Sequence, residues 1–227
     1  GDKWAFDESV TSVFDDMLER SIPQYAVMRQ IVTDAASAFV QPQTDIVDLG
    51  CSRGEALVPL MERFGAHNRY VGVEVSPSML AEARARFASW PPSIVRILDL
   101  DLRTTYPAVD ASVTLLVLTL MFTPINYRQR IMHRVYETTK PGGAVILVEK
   151  LIGATAQTDE WMQARYHRMK AENGYSREEI ERKALALEGV QVPLTAEWDE
   201  RLMQAAGFRH VECLWRWVNF AAWIGIK

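Results

Sequence analysis

The sequence predicts an α/β protein with a mostly parallel, doubly wound sheet that ends in antiparallel strands. Short apolar runs rich in valine, isoleucine and leucine alternate with segments of helical periodicity, and the first run stops at Gly50. Such alternation is typical of βαβ units, which place helices on both faces of a parallel sheet. Two more apolar runs close the chain within residues 207–227 and predict an antiparallel pair of strands.

The predicted elements follow in chain order. Two helices precede the sheet, over residues 6–20 and 25–39, and a Ser-Ile-Pro break at residues 21–23 separates them. Strands are predicted over residues 46–49, 70–75, 94–98, within 111–122 and over 144–150, with a KPGG turn before the last. Helices are predicted between them over residues 55–64, 77–89 and 127–139, and after them over 158–171 and 177–187. We interpret residues 1–227 as one domain, in which residues 1–40 form a helical cap over the ligand site.

Composition narrows the class of partner. The net charge of -4 gives no basic patch, so we expect no nucleic-acid partner. The two cysteines, Cys51 and Cys213, lie far apart and outside any metal-like spacing, so we expect no metal site and a reducing compartment. Without a membrane-length apolar run or a signal peptide, the expected location is the cytoplasm. A homodimer is compatible with the sequence.

Acidic residues accompany the first three strands. Asp48 lies in the first strand, Glu74 ends the second and Asp101 follows the third. Ligands of open parallel sheets bind at the carboxyl ends of the strands, where the second acid is suited to the two hydroxyls of a ribose. The third is suited to the exocyclic amine of adenine. Each acid alone is more often a solvated turn residue, so the prediction depends on their joint order.

Several motifs resemble those of class I S-adenosylmethionine-dependent methyltransferases, which have a Rossmann-like fold. They are DLGCSRG, GVEVS, LDLR and KPGGAVILVEK. Longer segments, including FDESVTSVFDDMLERSIPQY and AENGYSREEIERKALALEGV, resemble the carboxy-S-adenosylmethionine synthase family, and this similarity spans residues 4–227. The resemblance implies S-adenosylmethionine as the cofactor. It implies these cofactor-binding positions: Tyr25, Gly50, Cys51, Ser52, Glu74, Val75, Asp101, Leu102 and Val117.

Two positions depart from the family's pattern. The family binds the extra carboxylate of its product with an arginine where this chain has Ala184, and it has an asparagine where this chain has Val117. Lys183 precedes Ala184, but on a helix it points about 100° away. Because a carboxylate without its guanidinium loses a charge-assisted contact, we expect the site to take plain S-adenosylmethionine.

The sulfonium of that cofactor calls for a water-excluding site with aromatic faces. Candidate aromatic residues are Tyr25, Phe122, Tyr166, Tyr175, Trp215 and Trp217. We name Tyr166, His167 and Tyr175 as catalytic candidates, with the histidine as a possible general base. Taken singly, each tryptophan is more often a core residue, and a lone histidine on a helix is more often structural.

The leading functional hypothesis is methyl transfer to a small acceptor in specialised small-molecule metabolism. A second is an intramolecular cyclase, which converts S-adenosylmethionine into azetidine-2-carboxylate and methylthioadenosine and needs no other substrate. A carboxy-S-adenosylmethionine synthase and a non-catalytic cofactor-binding protein are further alternatives. The sequence alone does not separate these four.

Overall fold

The computed structural model describes residues 3–227, which form a seven-stranded sheet. Its strands are β1 (Asp45–Leu49), β2 (Arg69–Glu74), β3 (Val95–Asp99), β4 (Ala111–Val117), β5 (Thr139–Lys150), β6 (His210–Trp217) and β7 (Phe220–Ile226). Their order is β3-β2-β1-β4-β5-β7-β6. Strands β1 to β5 are parallel, whereas β7 runs antiparallel to β5 and β6 antiparallel to β7. The predicted fold class, a mostly parallel sheet with an antiparallel end, is confirmed.

Helices flank the sheet on both faces. They are α1 (Glu8–Ser12), α2 (Phe14–Ser21), α3 (Tyr25–Phe39), α4 (Val58–Phe64), α5 (Pro77–Arg86), α6 (Ile125–Thr138), α7 (Ala156–Glu172), α8 (Arg177–Leu187) and α9 (Ala196–Ala206). Neighbouring strand residues such as Ile46 and Val47 are both buried but belong to different core clusters, because successive side chains point to opposite faces of the sheet. One cluster includes α3 and α4, and the other includes α6 and α9.

The predicted helix over residues 6–20 is wrong as a single element. The chain leaves helical geometry at Val13 (φ -115°, ψ 17°), which divides the segment into α1 and α2. The side chains just before the break hydrogen-bond to the backbone behind them: Thr11 Oγ1 donates to the Asp7 carbonyl at 2.8 Å and Ser12 Oγ to the Ser9 carbonyl at 2.8 Å. Hydroxyl side chains of this kind compete with helix geometry, which favours a break here.

Three further differences from the sequence-based expectation concern a helix start, a turn and a helix that was not predicted. The helix expected from residue 55 begins at Val58, because residues 50–57 are used by a tight loop. The KPGG stretch belongs to β5 instead of a turn, and the pairing with β4 slips there, between Ala111 and Val113. Helix α9 was not predicted. Its signals were present, since Thr195 caps it and Gly207 follows it with φ +123°.

The expected cap, residues 1–40, has two parts in the region described. Helix α2 lies at the ligand cavity, with Phe14, Met17 and Leu18 in its wall, whereas no residue of α1 lines it. Helix α3 instead buries Met28, Val32 and Ala36 in the main core, so most of it belongs to the layer packed against the sheet.

Candidate functional site

A cavity of about 1290 Å³ opens at the carboxyl ends of the parallel strands. Its wall includes residues that follow β1, β2, β3, β4 and β5. The strand order reverses between β1 and β4, and such a switch point is where ligands bind in doubly wound sheets. The topology therefore sets the location of the site, and the side chains that line it determine which ligand can bind.

Gly50 is required where β1 ends. Its φ is +78°, and a Cβ there would come within 2.4 Å of Thr119 Oγ1, which donates to the Leu49 carbonyl at 2.8 Å. The amides of Gly50 and Cys51 both donate to the Val73 carbonyl, at 2.8 and 2.9 Å. Because the loop is tied to β2 and to Thr119, two residues after β4, the cavity floor is fixed against the sheet.

Asp48 contributes an unsatisfied acceptor beneath this loop. The carboxyl is 2% exposed, lines the cavity, and its Oδ1 has no hydrogen-bond partner within residues 3–227. The pKa of Asp48 is raised to about 7, mainly by burial; Arg29 lowers it, and Glu55 and Glu74 add to the increase. A buried acceptor without a donor is unfavourable, so this position calls for a ligand donor such as an ammonium group.

The two other predicted acids already have partners. Glu74 accepts hydrogen bonds from the amides of Ser52 (2.9 Å), Val75 (2.8 Å) and Ser76 (3.1 Å). Its two oxygens have about four acceptor sites, so capacity remains for a diol. Asp101 binds the guanidinium of Arg103 at 2.7–3.0 Å, which holds the pKa of Asp101 below its usual value. An adenine amine would share that carboxylate with Arg103.

The predicted cofactor positions come together in this one cavity. Its wall contains Tyr25, Gly50, Cys51, Ser52, Glu74, Val75, Asp101, Leu102 and Val117. Phe122 also lines it, whereas Trp215 and Trp217 do not. Trp215 is 7% exposed and donates its indole N–H to Gln24 Oε1 at 2.8 Å, as expected of a core residue. The roles of the nine cofactor positions in binding stay predictions.

Two of the three catalytic candidates lie in the cavity wall and the third lies outside it. Tyr166 and His167 line the cavity on α7, and the Tyr166 hydroxyl donates to the Ser21 carbonyl at 2.8 Å. Burial, reinforced by Lys170 and Lys150, lowers the pKa of His167. Tyr175 lies outside the cavity wall, with the guanidinium carbon of Arg20 4.1 Å from its ring centroid. That position does not favour a catalytic role for Tyr175.

Sequence reasoning missed a group of lysines at the far end of the cavity. Lys183 was expected to point away, but both Lys183 and Ala184 line the cavity. Lys150, the last residue of β5, and Lys170, near the end of α7, also line it. The sequence offered one signal for this group, the position of Lys150 at the carboxyl end of a predicted strand. Lys170 gave no signal, because in the sequence it resembles any lysine on a helix surface.

The N-terminal segment covers the cavity. Trp4, Phe6 and Phe14 are in its wall, and the Phe6 carbonyl accepts a hydrogen bond from Ser76 Oγ. The Trp4 amide donates to the Ala186 carbonyl at 2.9 Å. Residues 4–6 therefore bridge the loop after β2 and helix α8 on the two sides of the cavity.

These features fit S-adenosylmethionine. The orphaned Asp48 oxygen suits an amino group, Glu74 suits a ribose, and the apolar side chains of Val75 and Leu102 suit the faces of a purine. In the part of the chain that the structure describes, no three metal-ligating side chains cluster. No helix within residues 3–227 is long and apolar enough to cross a membrane.

Comparison with known proteins gives the same assignment. A methyltransferase-domain model matches residues 46–143. Carboxy-S-adenosyl-L-methionine synthase of Methylococcus capsulatus is 36% identical over 228 residues, which cover 100% of this chain and 94% of the relative. The same enzyme of Wolinella succinogenes is 39% identical over 227 residues, covering 99% and 94%. The chain belongs to the carboxy-S-adenosylmethionine synthase family. It is a transferase-type enzyme, and S-adenosylmethionine is its cofactor.

Solved structures agree on the fold. An O-methyltransferase family protein of Burkholderia thailandensis has a TM-score of 0.66 at 16% identity, with 98% of this chain and 60% of that chain covered. Human N-acetylserotonin methyltransferase, in complex with S-adenosylmethionine, has a TM-score of 0.59 at 16% identity, covering 99% and 60%. The family member thus spans about three-fifths of the length of these structures, and they support the fold alone.

Proposed function

We propose that this enzyme transfers the methyl group of S-adenosylmethionine to a small acceptor. The observation that carries the proposal is the size and division of the cavity. At about 1290 Å³ it exceeds the roughly 300–1,000 Å³ typical of sites for one small ligand. One end has the features suited to the cofactor, and the other, lined by α7 and α8, has room for a second molecule.

Strand order sets the arrangement of the two ends. From β2, which ends at Glu74, to β5, which ends at Lys150, the sheet passes through β1 and β4. Three strand spacings amount to about 14 Å, which is a fitting span from a ribose to an acceptor beyond the sulfur. When bound, the cofactor supplies a methyl group on a positively charged sulfur.

His167 is suited to take the acceptor's proton. Its imidazole lines the cavity, and its lowered pKa keeps a nitrogen lone pair free at neutral pH. The acceptor's oxygen or nitrogen would lose its proton to that imidazole nitrogen as it bonds to the methyl carbon, while the bond between the methyl carbon and sulfur breaks and its electron pair leaves with S-adenosylhomocysteine. Tyr166 is held by the hydrogen bond from its hydroxyl to the Ser21 carbonyl, and its ring forms part of the cavity wall next to His167.

A second candidate is synthesis of the carboxylated cofactor, because full-length relatives carry that name. Positions 184 and 117 argue against this second candidate, because the chain has alanine and valine where the family pattern has arginine and asparagine. Ala184 lines the cavity, so its short side chain leaves that contact unmade.

The test is a product analysis by mass spectrometry. Purified enzyme is incubated with S-adenosylmethionine alone and with each member of a panel of small hydroxy, amino and phosphorylated acceptors. S-adenosylhomocysteine formed only with an acceptor supports the proposal. Methylthioadenosine formed from the cofactor alone overturns it in favour of cyclisation. Tighter binding of carboxy-S-adenosylmethionine than of S-adenosylmethionine by the wild type favours the second candidate.

A further inference from the structure

Lys150, Lys170 and Lys183, the lysine cluster, concentrate positive charge at the acceptor end of the cavity. The ammonium nitrogens of Lys150 and Lys170 lie 4.7 and 4.9 Å from the ring centroid of Tyr166. The Lys183 ammonium donates to Ser21 Oγ at 3.1 Å, and the carbonyl of that same serine accepts the Tyr166 hydroxyl. Three separate elements, β5, α7 and α8, thus direct ammonium groups to one place.

No carboxylate neutralises this charge. Within residues 3–227, the single lysine ion pair is Lys140 with Asp110, at another part of the surface. Asp159 raises the pKa of Lys150 by its charge, but it is not within ion-pair distance of that lysine. The Asp159 carboxylate instead accepts hydrogen bonds from the Gly153 amide (2.8 Å) and the Gln163 side chain (2.6 Å). The Lys150 ammonium donates a hydrogen bond to the neutral side chain of Gln191, with Nζ 3.2 Å from Oε1.

Burial makes the arrangement unfavourable without an anion. Lys170 is only 4% exposed. Burial lowers the pKa of each cluster lysine to about 8, and mutual repulsion adds to the effect at Lys150 and Lys183. Uncompensated buried charges destabilise a fold, so an anionic ligand would stabilise these three strongly.

We propose that the lysine cluster binds a phosphate group on the acceptor, so that the second substrate is a small phosphate monoester. This rests on the proposed function, since it names the class of molecule in the second half of the cavity. Three ammonium groups on three elements are compact point charges, which suit a doubly charged tetrahedral group. A planar carboxylate favours the fork of an arginine, and the lysine cluster contains none.

Phosphate on the lysine cluster also affects the cofactor. Three free ammonium groups repel the sulfonium that is expected near the end of β4, and a bound dianion reduces that repulsion. Each ligand therefore strengthens the binding of the other, by the same factor in both directions.

The test uses inorganic phosphate as the probe, with succinate as the carboxylate comparison, at constant ionic strength. Calorimetry measures each dissociation constant for the wild type, Lys170→Met, Lys183→Met and the control Lys140→Met. Lysine and methionine have similar length, so the variants remove mainly charge. We expect saturable phosphate binding, weakened at least tenfold by either cluster substitution and unchanged in the control.

Other results overturn the proposal. Succinate binding more tightly than phosphate would replace the phosphate assignment, and no saturable phosphate binding, or equal loss in the Lys140→Met control, would remove it. Affinity for S-adenosylmethionine is measured on the same variants without phosphate and is expected to equal or exceed that of the wild type, because each cluster substitution removes a charge that repels the sulfonium. A wild type that binds phosphate but not the cofactor would contradict the proposed function alone.

Discussion

Glu74 has a structural task besides the ribose contact proposed for it. Its carboxylate accepts three backbone amides, from Ser52, Val75 and Ser76, and so joins the glycine loop to the end of β2. The ligand-binding residue therefore also shapes the floor on which the ligand lies. A substitution here acts through both effects, and a test must separate them.

We expect Glu74→Ala to weaken S-adenosylmethionine binding by about 1.5–3 kcal/mol, as is usual for hydrogen bonds to a charged group. Glu74→Gln keeps an acceptor for the loop and isolates the loss of charge. Asp99→Ala is the control, because Asp99 pairs with Glu74 across the strands but is exposed and outside the cavity wall. Calorimetry measures the affinities, and equal affinity of wild type and Glu74→Ala would rule out the ribose assignment.

Asp48 lets the pH dependence of stability be predicted. Its folded pKa, about 7, lies above the unfolded value of 3.8, so the folded protein binds more protons between these values. The contribution of Asp48 to the free energy of unfolding is therefore fully present below pH 4 and is lost as the pH rises to 7. We expect Asp48→Asn to have little effect near pH 4 and to stabilise the cofactor-free protein by roughly 2–4 kcal/mol above pH 7.

Denaturant unfolding of the Asp48→Asn variant and the wild type across pH 4–8 measures this difference. A stability gain that does not change with pH would mean that the gain has another origin. The variant should also bind S-adenosylmethionine more weakly, since an amide is a poorer partner than a carboxylate for an ammonium group.

At the scale of elements, the alternation of apolar strands and helices was sufficient to predict the sheet and its antiparallel end. The break at Val13 was not predicted, because apolar spacing continues through it and only the Thr11 and Ser12 side-chain bonds mark it. For the site, strand-end residues such as Gly50 and Glu74 were identified because parallel topology brings them together. Lys170 was missed because nothing local shows that its helix face packs over the cavity.

Helix α2 is short and lies at the cavity, so we expect the cofactor to stabilise it. In hydrogen exchange followed by mass spectrometry, S-adenosylmethionine at 100 times its dissociation constant should slow the amides of residues 14–21 by up to roughly 100-fold. Helix α9 serves as the internal control, because its residues do not line the cavity. Equal protection of α2 and α9 would indicate global stabilisation instead of local closure.

For the molecule as a whole, the departures at positions 117 and 184 are expected to tune which cofactor is held. Ala184→Arg with Val117→Asn adds a guanidinium, which pairs with a carboxylate and repels a plain sulfonium. We expect the double variant to raise the preference for carboxy-S-adenosylmethionine over S-adenosylmethionine at least tenfold relative to the wild type, or about 1.4 kcal/mol.

Competition calorimetry with both cofactors measures the ratio. Leu185→Arg is the matched control, because it adds the same charge at an exposed neighbouring position outside the cavity wall. A ratio that shifts equally in the control would attribute the effect to net charge, and an unchanged ratio in the double variant would show that position 184 does not discriminate.

The strand order has an evolutionary consequence. Apart from Tyr25, the residues suited to the cofactor lie between positions 48 and 117, whereas the opposite end of the cavity draws on residues 150–192, from the end of the last parallel strand onward. Substitutions in α7 and α8 can therefore redirect a lineage to a new acceptor while the older half of the cavity is inherited unchanged. We expect relatives that act on different acceptors to differ first in those two helices.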